Sequence, residues 1–472
     1  MVVFNKDSCF SQTKAPIKYH PTNPTPRAKM HIDLTQGIIK NHIIKLAVPA
    51  VVGYFFHTMF NVTDTYFAGQ LSTQALAALS LSASVFFMVL AIGIGMSEAV
   101  TSLVGNALGE KNIPKAQHIA FNAIAFAVVL SVLLSVLGVS SVPYLVEALG
   151  DPSYKTETLD YINLILYGAV FFVGAFFFNA LLNAVGDTKS FRNVLIVTAL
   201  LNVILDYLFI TYFGLGVGGI AMATIIAEAI TMFYLLYRVR QTKLWHGVSN
   251  FSYDGHVMKA LLKQGVPPSV NMFMMAFGMY VITYFVADFG KEAVAGFGIG
   301  MRIEQIFLMP VIGLNIATLA IVSQNNGAKE YGRIAPTLHL AIRYGWVMST
   351  IGVSAFMLFA EYFASLLTSD ALVVKQTALY LRVSGVASYG FVVIFLYIAM
   401  LQGIGKPSVI MPVSIYRQVI APVLVFSALA WMGMGVLSLW IGLDMIIFSS
   451  ALFLWLYGEK KLKNLEAQNV SA

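Results

Sequence analysis

Long apolar stretches separated by short polar ones follow one another along most of this chain. About twelve of them reach the ~20 residues that a helix needs to cross a bilayer. The predicted spans cover about 43–69, 75–104, 114–139, 157–184, 190–212 and 214–238 in the first half, and about 262–288, 293–322, 336–367, 376–403, 406–432 and 434–457 in the second half. The pattern therefore predicts an all-α integral membrane protein with six spans in each half.

The two halves are related in sequence. When the second half is laid over the first, 47–111 falls on 265–329 without a gap, so that 65–67 (TYF) meets 283–285 (TYF). One added residue carries the match onward, and Tyr161 then meets Tyr380. Six spans per half is an even number, so both halves enter the membrane from the same side. Parallel repeats of this kind are typical of transporters whose site lies between the halves.

The charge pattern sets an orientation. Only 11% of residues are charged and the mean hydropathy is +0.78, which excludes an ordinary soluble domain. The net charge of +7 does not indicate a nucleic-acid partner, because the basic residues concentrate in alternate loops. That asymmetry predicts that the N-terminus, the central loop and the C-terminus are cytoplasmic. We therefore expect a multi-pass protein of the inner or plasma membrane.

Five segments follow from these patterns. We predict a disordered cytoplasmic extension over 1–32, a first lobe over 33–240, a cytoplasmic linker over 241–261, a second lobe over 262–458 and a cytoplasmic tail over 459–472. Met30 is an alternative start, and removing residues 1–29 is expected to leave transport intact. The single cysteine, Cys9, excludes an internal disulfide and a cysteine metal cluster.

The two halves differ in their acidic residues. Asp64 lies in the first predicted span, where its repeat partner is Ile282. Asp206 lies in the fifth span, where its partner is Val425. A carboxylate in the bilayer interior costs about 3 kcal/mol or more. Since the second half builds the same helices without these acids, function is the simplest reason for them.

Both acids are expected at similar depth, in the outer half of the membrane. Asn202 precedes Asp206 by four residues and so shares its helix face. A desolvated carboxylic acid can take up a proton near neutral pH. Carboxylate and amide oxygens equally suit Na⁺. The sequence therefore does not decide between H⁺ and Na⁺ as the coupling ion. We expect Asp64, Asp206 and Asn202 to form the ion site, and we expect no other metal or cofactor.

Four further polar residues are candidates for the site or the transport cavity. Tyr161 recurs as Tyr380, which also fits a shared structural role. Asn179 lies in the fourth span and can face a cavity. Thr224 precedes Glu228 by one helical turn in the sixth span. Glu228 is either a cation contact or the partner of an arginine.

Several motifs resemble those of the multidrug and toxic compound extrusion (MATE) transporters. They are 34–40 (LTQGIIK) with 46–49 (LAVP), 62–69 (VTDTYFAG), 183–189 (NAVGDTK) and 202–206 (NVILD). They occur in the expected order, and the resemblance covers about 33–458. It implies two six-helix lobes around a V-shaped central cleft, and export of cationic, amphipathic compounds in exchange for H⁺ or Na⁺.

The resemblance also implies a branch of that family. One branch carries its coupling acids in the second lobe, but 265–287 and 383–405 contain no acid. The DinF-like branch uses acids of the first lobe, which Asp64 and Asp206 match. Its supporting polar residues look like Tyr161, Asn179, Asn202 and Thr224.

The alternative functions are a lipid flippase, an enzyme and a channel. A lipid-linked oligosaccharide flippase of the same superfamily needs a cationic cleft, and Arg302, Arg382 and Arg417 in the second lobe keep it open. No catalytic motif suggests an enzyme, and a twofold repeat with unequal acids suits alternating access better than a channel. The expected partners are small cationic or amphipathic drugs and dyes and the lipid bilayer, and the protein is expected to act as a monomer.

Overall fold

The structure is a computed structural model that describes residues 32–149, 152–245 and 252–470. These residues are almost entirely helical and contain no strand. Most of the predicted N-terminal extension, including Cys9 and Met30, lies outside the described residues, as do the centre of the linker and the end of the tail. The prediction of an all-α protein is confirmed.

The described residues of the first lobe form seven helices. They are α1 (Ile39–Leu71), α2 (Thr73–Gly109), α3 (Ile113–Leu149), α4 (Lys155–Tyr167), α5 (Ala169–Ala184), α6 (Lys189–Tyr207) and α7 (Gly216–Arg240). A π-helical segment, Leu208–Tyr212, extends α6.

The second lobe contains eight helices. They are α8 (Gly255–Val286), α9 (Lys291–Gly327), α10 (Ile334–Ser365), α11 (Ala371–Ser384), α12 (Ser388–Gly403), α13 (Ile410–Ile415), α14 (Ala421–Trp431) and α15 (Val436–Val470). Short helical turns join α11 to α12 and α13 to α14, so each pair forms one span.

The described helices give eleven candidate membrane spans, and a twelfth if α4 and α5 are counted as one span bent by 47°. This matches the predicted six spans per half. At the C-terminal end, α15 continues beyond the predicted last span to Val470, so that residues 459–470 are helical. The charged residues there prolong the last helix beyond its apolar part.

The internal repeat is visible in the backbone. Lys111 and Lys329, which are repeat partners, end α2 and α9 with positive φ angles of 56° and 60°. Gly186 and Gly405, which are also repeat partners, have φ angles of 81° and 72°. The two lobes therefore turn the chain in the same conformation at equivalent places, although few side chains are shared.

The lobes meet closely at one end of the bundle. We call this end the linker side, because α7 ends and α8 begins there. The ends of α2 and α9 touch backbone to backbone: a Cβ atom added at Gly327 would lie 1.9 Å from the carbonyl oxygen of Asn106. One added at Gly109 would lie 2.0 Å from the carbonyl oxygen of Gln324. Only glycine permits this approach.

Hydrogen bonds between the lobes reinforce this contact. Asn326 donates to the side-chain oxygen of Asn106 at 2.6 Å, and Asn106 donates to the carbonyl oxygen of Gly403 at 2.9 Å. By contrast, Gly298, near the opposite end of α9, has no atom within 4 Å of an added Cβ. The structure is therefore closed between the lobes on the linker side.

Candidate functional site

The two acids singled out by the repeat meet inside the first lobe. Asp64 on α1 is 4% exposed and Asp206 on α6 is fully buried. Thr224 on α7 donates from Oγ1 to Oδ2 of Asp64 at 3.0 Å. Asn202 and Tyr161 also face Asp64 within interaction range. Side chains from α1, α4, α6 and α7, far apart in sequence, thus surround one point.

Many polar atoms at this point are unsatisfied. Among the described residues, Oδ1 of Asp64, both carboxylate oxygens of Asp206 and both side-chain polar atoms of Asn202 are buried without a hydrogen-bond partner. Buried polar atoms normally have partners. Two neighbouring buried carboxylates also repel each other strongly. Either one of them takes up a proton, or a cation lies between them. The cluster therefore has the chemistry of a site for H⁺ or a small cation.

Local features of the chain place these residues. Asp206 lies in the last turn of α6, immediately before the helix widens into the π-helical segment. Tyr161 lies in the middle of α4, before the chain bends at Gly168 into α5. The single hydroxyl proton of Thr224 lies between Oδ2 of Asp64 and the carbonyl oxygen of Ile220 in its own helix, 3.1 Å from Oγ1, so the hydroxyl is held at a fixed position.

Glu228 is adjacent to this cluster and its partner is a histidine. Oε1 of Glu228 lies 3.8 Å from Nε2 of His57 on α1, and Glu228 is 5% exposed. The expectation of an arginine partner is wrong, because no arginine of the described chain forms an ion pair with Glu228. The pair connects α1 and α7 one helical turn from Thr224.

Asn179 lies at a different place. It is on α5 and lines a cavity between the lobes of about 40 Å³, room for a few water molecules. Glu98 and Asn315 line the same cavity from α2 and α9. Asn179 thus lines this cavity and is separate from the acid cluster.

Sequence reasoning missed Glu98. Its Oε2 accepts a hydrogen bond of 2.7 Å from Gln402 of the other lobe. The internal repeat could have indicated Glu98, because its repeat partner is the apolar residue Ile316. His57 was also missed, although its repeat partner is Met275.

A comparison with protein families matches the MatE family twice, over residues 49–208 and 267–427. The two matches are separated by the same interval as the internal repeat and together cover more than half of the chain. The chain belongs to the MatE family of membrane transporters, which also supports the expectation that it is not an enzyme.

Curated relatives agree with this assignment. The chain is 28% identical over 431 residues to the probable multidrug resistance protein NorM of Thermotoga maritima, covering 88% of this chain and 91% of that protein. It is 27% identical over 395 residues to the FAD transporter of Shewanella oneidensis (80% and 85%). It is 23% identical over 415 residues to the multidrug export protein MepA of Staphylococcus aureus (86% and 88%).

Solved structures show the same fold. A MOP superfamily transporter from Pyrococcus furiosus has a TM-score of 0.89 at 23% identity, covering 93% of this chain and 99% of that one. A multidrug resistance MATE family transporter, described in its outward-facing conformation, has the same TM-score, the same identity and the same two coverages.

Proposed function

We propose that this chain is an efflux antiporter that exports cationic, amphipathic compounds in exchange for H⁺ or Na⁺. The observation that carries the proposal is the buried acid cluster of Asp64 and Asp206, with its unsatisfied oxygens. Only the first lobe has these acids, since the equivalent positions are Ile282 and Val425. A bound ion neutralises the cluster, and the resulting change in packing of α1 biases the lobes between their two arrangements.

The roles of the remaining residues follow from their positions. Asn202 and Thr224 orient the carboxylates or complete the ligand shell of Na⁺, and Tyr161 faces the bound ion. Asn179 lines the path between the lobes, which must widen to admit a drug-sized molecule. Glu228 lies 3.8 Å from His57 and so places a buried carboxyl group of α7 beside α1. By linkage, ion and substrate then disfavour each other's binding to an equal degree.

The basic loops give the orientation. Lys and Arg residues concentrate at the linker side, which we assign to the cytoplasm. Both termini are then cytoplasmic in a multi-pass protein of the inner or plasma membrane, and the closed arrangement of the lobes is the outward-facing one. The protein acts as a monomer in this proposal.

The absence of acids from 265–287 and 383–405 favours the DinF-like branch. The cargo class rests on the names of NorM and MepA and on the acidic character of the first lobe. Because one relative is named FAD transporter, a flavin dinucleotide is the cargo to compare with cationic compounds in any transport assay.

The arginines of the second lobe count against a lipid flippase. Arg417 is buried beside Asn271, Arg382 forms an exposed ion pair with Glu361, and Arg302 is exposed. They occupy separate environments and do not form one cationic cleft.

The test is ethidium efflux from loaded proteoliposomes, driven by a pH gradient alone or by a Na⁺ gradient alone. We expect efflux with one gradient, and its loss in Asp64→Asn and in Asp206→Asn. Asp288→Asn is the matched control, because Asp288 is an exposed acid at the end of α8. Absence of efflux with both gradients, from folded protein, would refute the proposal and favour a different cargo.

A further inference from the structure

The second lobe contains an acid cluster of its own. Glu304 on α9 is 7% exposed, and its Oε2 accepts a hydrogen bond of 2.6 Å from the hydroxyl of Tyr380 on α11. Its other oxygen, Oε1, is buried and has no hydrogen-bond partner among the described residues. Glu304 therefore has one oxygen held in place and one available.

Asp444 on α15 lies within electrostatic range of Glu304 and of Tyr380. Its Oδ1 is likewise buried without a hydrogen-bond partner in the described part of the chain. Arg382 bonds to Glu361 at the surface, Arg417 donates to Asn271, and Arg302 is exposed. None of these three arginines forms an ion pair with Glu304 or Asp444 in the described part of the chain. The buried carboxylate of Glu304 and the half-buried carboxylate of Asp444 thus lie within electrostatic range of each other, and neither forms an ion pair among the described residues.

The backbone is shaped to hold this arrangement. A Cβ atom at Gly300, one turn before Glu304, would lie 2.3 Å from the ring of Tyr380. The ring therefore rests directly on α9, from where its hydroxyl reaches Glu304. Phe297 and Trp440 enclose the same ring, with centroids 5.3 Å and 5.0 Å from it. The tyrosine is fixed by packing, and with it the orientation of the carboxylate.

The repeat connects this cluster with the one in the first lobe. Tyr380 is the repeat partner of Tyr161, which faces Asp64. Asp444 is on α15, the counterpart of α7, which supplies Thr224. Both lobes thus place equivalent tyrosines and equivalent helices beside acids. The acids themselves stand at positions that the repeat does not relate, because the repeat partners of Glu304 and Asp444 are Phe86 and Ile225.

We propose that Glu304 and Asp444 form a second binding site for a monovalent cation, H⁺ or Na⁺, with Tyr380 as the positioning residue. The free oxygens of Glu304 and Asp444 bind the ion, and the Tyr380 hydroxyl keeps the second oxygen of Glu304 turned away from it. The protein then holds two ions, one in each lobe. This site is separate from Asp64 and Asp206 and goes beyond the proposed coupling.

The test is an ion-binding measurement on the full-length protein in lipid nanodiscs, with Trp440 as reporter. NaCl replaces choline chloride at constant ionic strength, and in a second series the pH is lowered without Na⁺. We expect Trp440 emission to change in one series, and to keep changing when Asp64→Asn and Asp206→Asn remove the first site. Trp440→Phe identifies the contribution of this tryptophan among the five in the chain.

Glu304→Gln and Asp444→Asn are each expected to abolish a response to Na⁺, because each removes one of the two anionic ligands. A response to pH is expected to shift to lower pH in each variant, because the remaining carboxylate no longer has a charged neighbour. A response to Na⁺ identifies Na⁺ as the ion, and a response to pH alone identifies H⁺. A response that is the same in both variants as in the wild type would overturn the proposal. So would a Trp440 emission that changes in neither series.

Counting bound ions provides a second readout. Equilibrium dialysis with labelled Na⁺, together with the difference in proton uptake between wild type and variant, should show one ion fewer bound in Glu304→Gln or Asp444→Asn than in the wild type. Gly300→Ala should weaken the second site by displacing Tyr380, whereas Gly298→Ala, with open space around it, should not. Glu361→Gln is the control for removing an exposed acid. Because binding is measured without transport, failure of this proposal is distinguishable from failure of the antiport proposal.

Discussion

The contact between the ends of α2 and α9 predicts that one methyl group alters the conformational equilibrium. In Gly327→Ala the new Cβ would lie 1.9 Å from the carbonyl oxygen of Asn106. The lobes must separate there by about 1 Å or more, since non-bonded carbon and oxygen atoms do not approach so closely. Overpacking of this kind costs about 1–3 kcal/mol. The cost falls only on the arrangement that is closed on the linker side.

A difference of about 1–3 kcal/mol corresponds to a change of about 5- to 150-fold in an equilibrium between two states. Alanine also stabilises a helix over glycine by about 1 kcal/mol, but it does so in both states. Gly298→Ala controls for that effect, because it lies on the same helix with nothing within 4 Å. Only Gly327→Ala should therefore shift the equilibrium toward the state open on the linker side.

The assay is pulsed electron–electron resonance between spin labels on the two lobes. Lys115→Cys and Gly332→Cys place labels at exposed positions of the linker side, in a Cys9→Ser background. We expect a longer distance population in Gly327→Ala than in the wild type or in Gly298→Ala. If the distance distributions of Gly327→Ala and Gly298→Ala coincide, the glycine contact does not control closure.

Two further predictions concern stability. Gln324→Ala removes the acceptor of the Leu34 N–H (3.0 Å) and the donor to the Ala184 carbonyl (2.7 Å). We expect the free energy of unfolding to fall by about 1–3 kcal/mol and the melting temperature to lie below that of the exposed-site control Gln70→Ala. Equal melting temperatures in the two variants would contradict this prediction. The hydrogen bond from His118 holds the pKa of Asp254 below its ordinary value. That stabilisation is present above the unfolded pKa of about 4 and is lost as the pH falls through the lower folded pKa. The stability gap between the wild type and Asp254→Ala should therefore narrow in acid melting curves, and a gap independent of pH would exclude this linkage.

The membrane fold followed from the sequence because the bilayer imposes a simple rule. Every spanning backbone must satisfy its own hydrogen bonds and present about 20 apolar residues. That rule predicted the spans, and the repeat predicted two equivalent lobes. The same repeat singled out Asp64 and Asp206 because their partners, Ile282 and Val425, are apolar.

Tertiary structure decided which polar residues meet. Thr224 and Tyr161 join Asp64, while Asn179 faces the cavity between the lobes, a division that depends on helix rotation and on the bend between α4 and α5. Glu304, Tyr380 and Asp444 come together although they lie on three helices far apart along the chain, and no local pattern indicates this. Sequence by itself determined which residues enter the membrane, because hydrophobicity is a local property. Their neighbours depend on how whole helices pack, which is a property of the complete chain.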